Sequence, residues 1–230
     1  MPAWMWYHNG VRTMAICLVA TVGLTACGSP SAIAPPSSAP PASSGAPGPV
    51  QPAAVLRARA DLPAGYEVTD LAAEPVTPAS FWGFTSGWAA VPEHCGELAD
   101  PGVGTPVRGW SASGPGGIVY AIVAGPGARV GAPDGCAAWS LTGGHTSAAV
   151  TLAPAPAIPD TPTVAMNAVA TTTVEGGTVT RMHADTATAY LAGAYIASVT
   201  VITDPGSAQQ KLPGDTASHL LAQVVSAVTR

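Results

Sequence analysis

Hydrophobic and polar residues alternate with a period of two over much of this chain, which is typical of half-buried β-strands. Glycine-rich turns join neighbouring strands into hairpins at Gly114-Pro115-Gly116-Gly117, at Glu175-Gly176-Gly177 and across Leu191–Ala194. The alternation predicts strands at Tyr66–Leu71, Val107–Ser113, Ile118–Val123, Thr146–Leu152, Val164–Val174, Thr178–Met182, Thr186–Tyr190 and Tyr195–Thr203.

Helical spacing is strongest at the C-terminus, where Asp215 is the predicted N-cap of a helix. Two short helices are also predicted, one from Pro92 through Cys95 to Ala99 and one that begins at Pro133 and carries Cys136 and Trp139. The aromatic segment 79–88 is either a short helix or an irregular wedge. The predicted fold class is α+β, a mostly antiparallel sheet of about six to eight strands with two short helices and a C-terminal helix.

The N-terminus carries an apolar run from Met14 to Ala26, preceded by Arg12. The run has the length of a signal-peptide core and is too short to span a bilayer. It ends in Leu24-Thr25-Ala26-Cys27, which is the pattern of a bacterial lipoprotein signal. Cleavage between Ala26 and Cys27 would leave a cysteine whose thiolate accepts a diacylglyceryl group. The alternative is an ordinary secretory signal that happens to contain a cysteine.

A tract rich in Pro, Ser, Ala and Gly follows the signal and ends near residue 54. Such a tract cannot bury enough apolar surface to fold, and its prolines favour a semi-stiff extended spacer. The predicted organisation is therefore a signal peptide at 1–26, a lipidated Cys27 with its tether at 27–55, and one extracytoplasmic domain at 56–230. Within that domain the packed part is expected to begin near Leu62.

Charge argues against a nucleic-acid partner. The chain holds 8 Lys and Arg against 13 Asp and Glu, and Lys211 is its one lysine. Binding to phosphates needs clustered cations, and the sequence contains no basic run. Attachment to the extracytoplasmic face of the cell membrane should therefore depend on the lipid of Cys27 alone.

Two cysteines, Cys95 and Cys136, remain in the domain after export. In an oxidising compartment one such pair predicts a disulfide. Two buried free thiols or a two-cysteine metal site are the alternatives. His94 is a possible extra ligand for such a site, although adjacent residues rarely bind one zinc ion together. No metal and no cofactor is expected.

The sequence carries none of the common catalytic motifs. The sequence contains no GxSxG elbow, P-loop, GxGxxG or HExxH motif. His183 with Asp185, beside Arg181, is a candidate general base or metal ligand, or else part of an ordinary polar loop. His145 and His219 are interpreted as ordinary histidines. A pair of carboxylates that meets only in the folded protein stays possible, but no catalytic residue is assigned.

Tryptophans are numerous for one domain. They either line a groove for an apolar or glycan ligand or form the core around the cysteines. Trp82 and Trp110 are the candidate ligand-binding residues, and Trp88 and Trp139 flank the two cysteines.

Three short motifs carry a resemblance to known proteins: Gly65-Tyr66-Glu67-Val68, Phe81-Trp82-Gly83-Phe84 and the stretch Gly109–Gly114. With the lipoprotein signal and the tether, they resemble an uncharacterised domain of small actinobacterial, mycobacterial-type lipoproteins, over about Leu56–Arg230. The plan is also similar to the extracellular sensor domain of mycobacterial receptor serine/threonine kinases. That domain has two disulfides, whereas one cysteine pair is available here. Neither resemblance implies an activity or a functional residue.

The expected function is that of a membrane-anchored cell-envelope lipoprotein whose domain binds an unidentified ligand or protein partner without catalysis. One alternative is an envelope hydrolase with an active site outside known motifs. It would place His183 and Asp185 in a pocket beside a Ser, Glu or Asp. The other alternative is a carrier of an apolar lipid, which needs a closed apolar cavity.

Overall fold

The computed structural model describes residues 48–102, 104–125, 133–203 and 208–230. The signal peptide, Cys27 and the tether as far as residue 47 lie outside the described residues. None of the described helices is long and apolar enough to cross a membrane. The strands are β1 (Glu67–Asp70), β2 (Ala89–Val91), β3 (Val107–Gly114), β4 (Gly117–Ala124), β5 (Ala138–Gly143), β6 (Thr146–Ala153), β7 (Thr163–Thr173), β8 (Val179–Leu191) and β9 (Tyr195–Thr203).

These nine strands form one antiparallel sheet in the order β1-β3-β4-β9-β8-β7-β6-β5-β2. The predicted α+β class and the antiparallel sheet are confirmed, with one strand more than the predicted range. The hairpin turns lie where the sequence predicts them. At the β7–β8 turn, Gly176 and Gly177 have φ values of 89° and 80°, a conformation that favours glycine.

Three differences account for the strand count. The short strands β2 and β5 were not predicted. The predicted strands Thr178–Met182 and Thr186–Tyr190 are one continuous strand, β8. The polar residues His183 and Asp185 suggested a break, but they lie on the partly exposed side of β8 while Ala184 between them is buried.

The helices are a 3-10 helix at Pro52–Asp61, α1 at Pro78–Phe81, a second 3-10 helix at Glu93–Leu98, a short 3-10 turn at Ala192–Ala194, and α2 at Thr216–Val228. The helix predicted to carry Cys136 and Trp139 is wrong. Trp139 lies on β5 and pairs with Val150 of β6. The packed fold also begins before Leu62, because Ala54 and Val55 are buried in the first 3-10 helix.

One face of the sheet, here called the helix face, packs against the first 3-10 helix and α2. The apolar residues predicted for α2 are buried there, among them Leu221 and Val224, and they meet Trp110 and Val199 of the sheet. Asp215 occupies the predicted N-cap position without a side-chain capping bond. Instead its Oδ2 lies 3.5 Å from Nε2 of His219.

The opposite face, here called the loop face, is covered by the connection between β1 and β3. This connection carries α1, Trp82, Phe84 and the second 3-10 helix, which pack onto buried residues such as Met166 and Ile122 of the sheet. Both faces therefore have a core, but the two cores are covered by different parts of the chain.

The helices cover only part of the helix face. The first 3-10 helix contacts β3 and β4, and α2 contacts β8 and β9. Beyond them, the outward side chains of β5, β6 and β7 are exposed or half-buried. We call this surface the open face; it is formed by Ser140, Thr142, Ser147, Ala149, Thr151, Asn167, Val169 and Thr171.

Candidate functional site

The two tryptophans proposed as ligand contacts lie in the core. Trp82 and Trp110 are both 0 % exposed. The indole Nε1 of Trp82 donates to Oγ1 of Thr186 over 3.2 Å, and that of Trp110 donates to the carbonyl oxygen of Val55 over 3.0 Å. Their polar atoms are thus already paired inside the protein. Both residues are therefore core residues and do not line an exposed groove. Trp82 lies in the core that contains the cysteines, as one interpretation of the sequence expected, whereas Trp110 lies in the core of the helix face.

The disulfide between Cys95 and Cys136 is present, with a Cα–Cα distance of 5.6 Å. Both cysteines are buried in the core of the loop face. Cys95 lies in the second 3-10 helix, and Cys136 lies two residues before β5. The bond was predicted to join two helical segments, but only one of its ends is helical.

A third side chain lies beside this disulfide. His94 is exposed, and its Nε2 is 3.1 Å from the carbonyl oxygen of Asp134. A ring nitrogen of His94 and the sulfurs of Cys95 and Cys136 all lie within 4.8 Å of one another. While the sulfurs are bonded to each other, they are not available as metal ligands.

His183 and Asp185 are strand residues rather than part of a polar loop. In the β7–β8 register, His183 lies opposite Val169 and Asp185 lies opposite Asn167. The side-chain Nδ2 of Asn167 donates to Oδ1 of Asp185. Because Asn167 belongs to the open face, this pair places an amide and a carboxylate side by side at the edge of the covered region.

A cavity of about 310 Å³ opens where the open face meets the first turn of α2. Its polar lining includes the Asn167–Asp185 pair on the sheet, Asp215 at the N-cap of α2 and Ser218 within that helix. Small apolar residues complete it, among them Ala165. We call it the Asn167–Asp185 cavity. His183 is not among its lining residues, so the structure brings Asp185 to a serine and a second aspartate but not to that histidine.

Two further cavities flank α2. One of about 550 Å³ is lined by His219, Asp215 and residues at the end of the first 3-10 helix. The other, of about 390 Å³, lies near the C-terminal half of α2 and includes Tyr190. Burial raises the pKa of Tyr190 to about 12, and the negative charge of Glu97 adds to the shift.

His145 and Asn167 show what the sequence could and could not indicate. His145 lies exposed in the turn between β5 and β6, as expected for an ordinary histidine. Asn167 was not singled out, because one polar residue inside an apolar strand marks only a solvent-facing position. Its pairing with Asp185 depends on the β7–β8 register, which no local pattern of Asn167 reveals.

The fold defines a class of proteins, namely α+β domains built on a large antiparallel sheet with a helix-covered face and a loop-covered face. A family model described as a domain of unknown function, DUF5642, matches residues 51–229. The chain belongs to this family.

A solved structure shares the fold. It is the X-ray structure of an uncharacterised protein of Mycobacterium smegmatis, the Rv0999 ortholog. The match has a TM-score of 0.56 at 19 % identity and covers 79 % of this chain and 98 % of that one. No curated protein matches the sequence. The resemblance to an uncharacterised, mycobacterial-type domain is thereby confirmed.

Proposed function

We infer that the protein is a cell-envelope lipoprotein, anchored by lipid on Cys27, whose domain binds a ligand or partner outside the cytoplasmic membrane. The pattern Leu24-Thr25-Ala26-Cys27 supports the anchor. The buried disulfide supports export, because disulfides persist in oxidising compartments. The similarity to kinase sensor domains stays a prediction.

The Asn167–Asp185 cavity carries the binding part of this proposal. Its volume of about 310 Å³ falls within the range of small-molecule sites. An ionised carboxylate only accepts hydrogen bonds, and Asp185 and Asp215 both line the cavity. The ligand group that fits is therefore a donor, such as a hydroxyl or an ammonium group, rather than an anion. Asn167 and Ser218 each add a donor and an acceptor.

Anchoring is tested by replacing the lipidated residue. In the native host, Cys27→Ala should abolish labelling by a fatty-acid analogue and leave the precursor uncleaved. A matched Cys17→Ala variant removes a cysteine within the signal and should still be labelled. Labelling that persists in Cys27→Ala would contradict the anchor.

Binding is tested with soluble cell-wall fragments of the native host as the probe. They should shift the NMR signal of the Asn167 side-chain amide in the chain from residue 28 onward. Asp185→Asn keeps the size of the side chain but removes its charge, so the shift should disappear. Glu175→Gln removes a carboxylate from the distant β7–β8 turn and should bind as the parent protein does. Equal binding by both variants, or no shift at all, would reject this site.

The hydrolase alternative has one observation in its favour, because two carboxylates share the cavity with a serine. Paired carboxylates are the usual catalysts of glycoside hydrolysis. The same cell-wall fragments distinguish the cases. A binding protein returns them unchanged, whereas a hydrolase shortens them in a reaction that Asp185→Asn stops. The third alternative, a lipid carrier, has no comparable observation among the cavities described.

A further inference from the structure

The cluster of His94, Cys95 and Cys136 contains the donor atoms of a zinc site. The histidine nitrogen and the two sulfurs lie within 4.8 Å of one another. Two thiolates, one imidazole and a water molecule are a known tetrahedral ligand set for Zn²⁺. We propose that the reduced form of this protein binds Zn²⁺ through Cys95, Cys136 and His94, and that the disulfide closes this site.

The hydrogen bond of His94 leaves one ring nitrogen free to bind a metal. A carbonyl oxygen only accepts, so Nε2 must donate its proton to the carbonyl of Asp134, 3.1 Å away. In the neutral ring Nδ1 then carries the free lone pair. Histidines that bind metals usually donate from the other ring nitrogen to a carbonyl or carboxylate, which orients the ring. His94 has this outer contact already.

In addition to the bond between them, the secondary structure places the two sulfurs near each other. Cys95 lies in the second 3-10 helix, which starts two residues after β2. Cys136 lies two residues before β5. Strands β2 and β5 pair directly, with Ala90 opposite Leu141. Because reduction breaks none of the backbone hydrogen bonds of this pairing, we expect the thiols to stay in reach of one metal ion after reduction.

A dithiol is the reductant that opens the Cys95–Cys136 disulfide. The dithiol gives two electrons and two protons to the disulfide, becomes a disulfide itself, and leaves two thiols. Zn²⁺ then binds the two sulfurs and the imidazole, and two protons are released to solvent. The two sulfurs, bonded to each other in the oxidised form, must separate to roughly 3.8 Å, as tetrahedral Zn–S bonds of about 2.3 Å require.

Burial favours the metal over free thiolates. Cys95 and Cys136 are 0 % and 1 % exposed, so two unpaired thiolates there would be costly. The two charges of Zn²⁺ neutralise them. Exposed His94 lies at the solvent side of the cluster and provides the route of entry. The adjacent positions of His94 and Cys95 are no obstacle, because the 3-10 turn already brings their donor atoms together.

The test uses Co²⁺ as a spectroscopic probe on the full mature chain with Cys27→Ser, which removes the remaining thiol. After reduction by a dithiol and its removal without oxygen, one Co²⁺ per chain should give thiolate charge-transfer and tetrahedral d–d bands. Zn²⁺ should displace it. The oxidised protein and the Cys95→Ala/Cys136→Ala variant should give neither band.

His94→Ala should weaken binding at least about tenfold, the lower limit seen even for loss of an outer-shell partner. His145→Ala, which removes an exposed histidine at the other end of β5, should bind as the parent does. Near-UV circular dichroism of the tryptophans reports whether the reduced domain stays folded. The proposal is overturned if folded reduced protein binds no Co²⁺, if His94→Ala binds equally well, or if cobalt binds only after the tryptophan signal is lost.

Discussion

Strands β9 and β6 belong to the same sheet and differ in what covers them. In β9 every residue after Tyr195 is buried, because the loop face and the helix face are both covered there. In β6, residues from Thr146 to Thr151 alternate between buried positions on the loop face and exposed positions on the open face. The contrast shows that α2 and the first 3-10 helix, rather than the sheet, decide where this domain meets solvent.

Hydroxyl groups have opposite roles in these two regions. Beside β9, Thr188 and Ser198 are buried and their hydroxyl oxygens are 3.1 Å apart, and Thr186 and Thr200 form a second pair. Each hydroxyl thus has a partner inside the protein. On the open face hydroxyls such as that of Thr151 are exposed instead. The same residue types therefore stabilise the covered region and remain available for binding on the open one.

Substitution of Trp110 in the covered region should lower the stability of the domain most. Trp110→Ala removes a fully buried indole and leaves the Val55 carbonyl without its donor. We expect unfolding to require roughly 3–5 kcal/mol less free energy, measured by urea denaturation. Val169→Ala on the open face should cost less than about 1 kcal/mol. Similar losses for the two variants would contradict the difference in coverage.

The disulfide is the next largest contribution. It closes a loop of 41 residues in sequence separation. In the chain-entropy model, a loop of this length contributes about 4 kcal/mol. Cys95→Ala/Cys136→Ala should therefore lower the free energy of unfolding by about that amount in urea titrations. A loss below about 1 kcal/mol would mean that the loop face is held by packing alone.

A smaller loss of stability is expected from a buried hydroxyl pair in the covered region. Thr188→Val keeps the shape of the side chain but leaves the buried Ser198 hydroxyl without its partner, which should cost about 1–3 kcal/mol. Adding Ser198→Ala should recover much of this loss. Thr151→Val on the open face should stay within about 0.5 kcal/mol. If the single and double variants were equally unstable, the hydroxyl pairing would not be the cause.

The smallest effect concerns pH. The folded pKa of Tyr190 is raised from 10.0 to about 12, chiefly by burial. Since folding favours the protonated phenol, its contribution is complete below pH 10 and is lost as the pH rises toward 12. The slope should approach about 1.4 kcal/mol per pH unit. Tyr190→Phe should flatten this part of the stability curve relative to the parent. Burial also raises the pKa of Tyr66 and of Tyr120, but both residues are present in the two proteins and contribute equally to the two curves. Parallel curves would refute the assignment.

Much of the secondary structure could be predicted because the signals are local. The alternation in β7, the glycines after Glu175 and the helical spacing of Leu220 to Val228 each lie within a few residues of one another. The errors have physical causes as well. Trp139 looked helical because Pro133-Asp134 is a helix-start signal, yet the pairing of β5 with β6 decides its conformation. His183 and Asp185 suggested a loop because both are polar. They lie within β8 because its half-covered face tolerates polar side chains in a strand.

The candidate sites divide in the same way. The cysteine pair could be predicted from the compartment and the count of cysteines. The sequence suggests His94 as an extra ligand because it adjoins Cys95. The approach of His94 to the Cys136 sulfur and the pairing of Asn167 with Asp185 could not be predicted, since each joins residues from separate elements. Trp82 and Trp110 were ambiguous, because a tryptophan suits a core and a binding groove equally well.

The sequence alone specifies the antiparallel α+β class, the hairpin turns, the C-terminal helix and the pairing of Cys95 with Cys136. These depend on periodicity, turn chemistry and the number of cysteines, all of which can be counted along the chain. The tertiary structure was needed to show which part of the helix face α2 and the first 3-10 helix cover, where the cavity opens beside Asn167, and that Trp82 and Trp110 are core. Burial depends on what packs above a residue, and for this sheet that is supplied by segments far away in sequence.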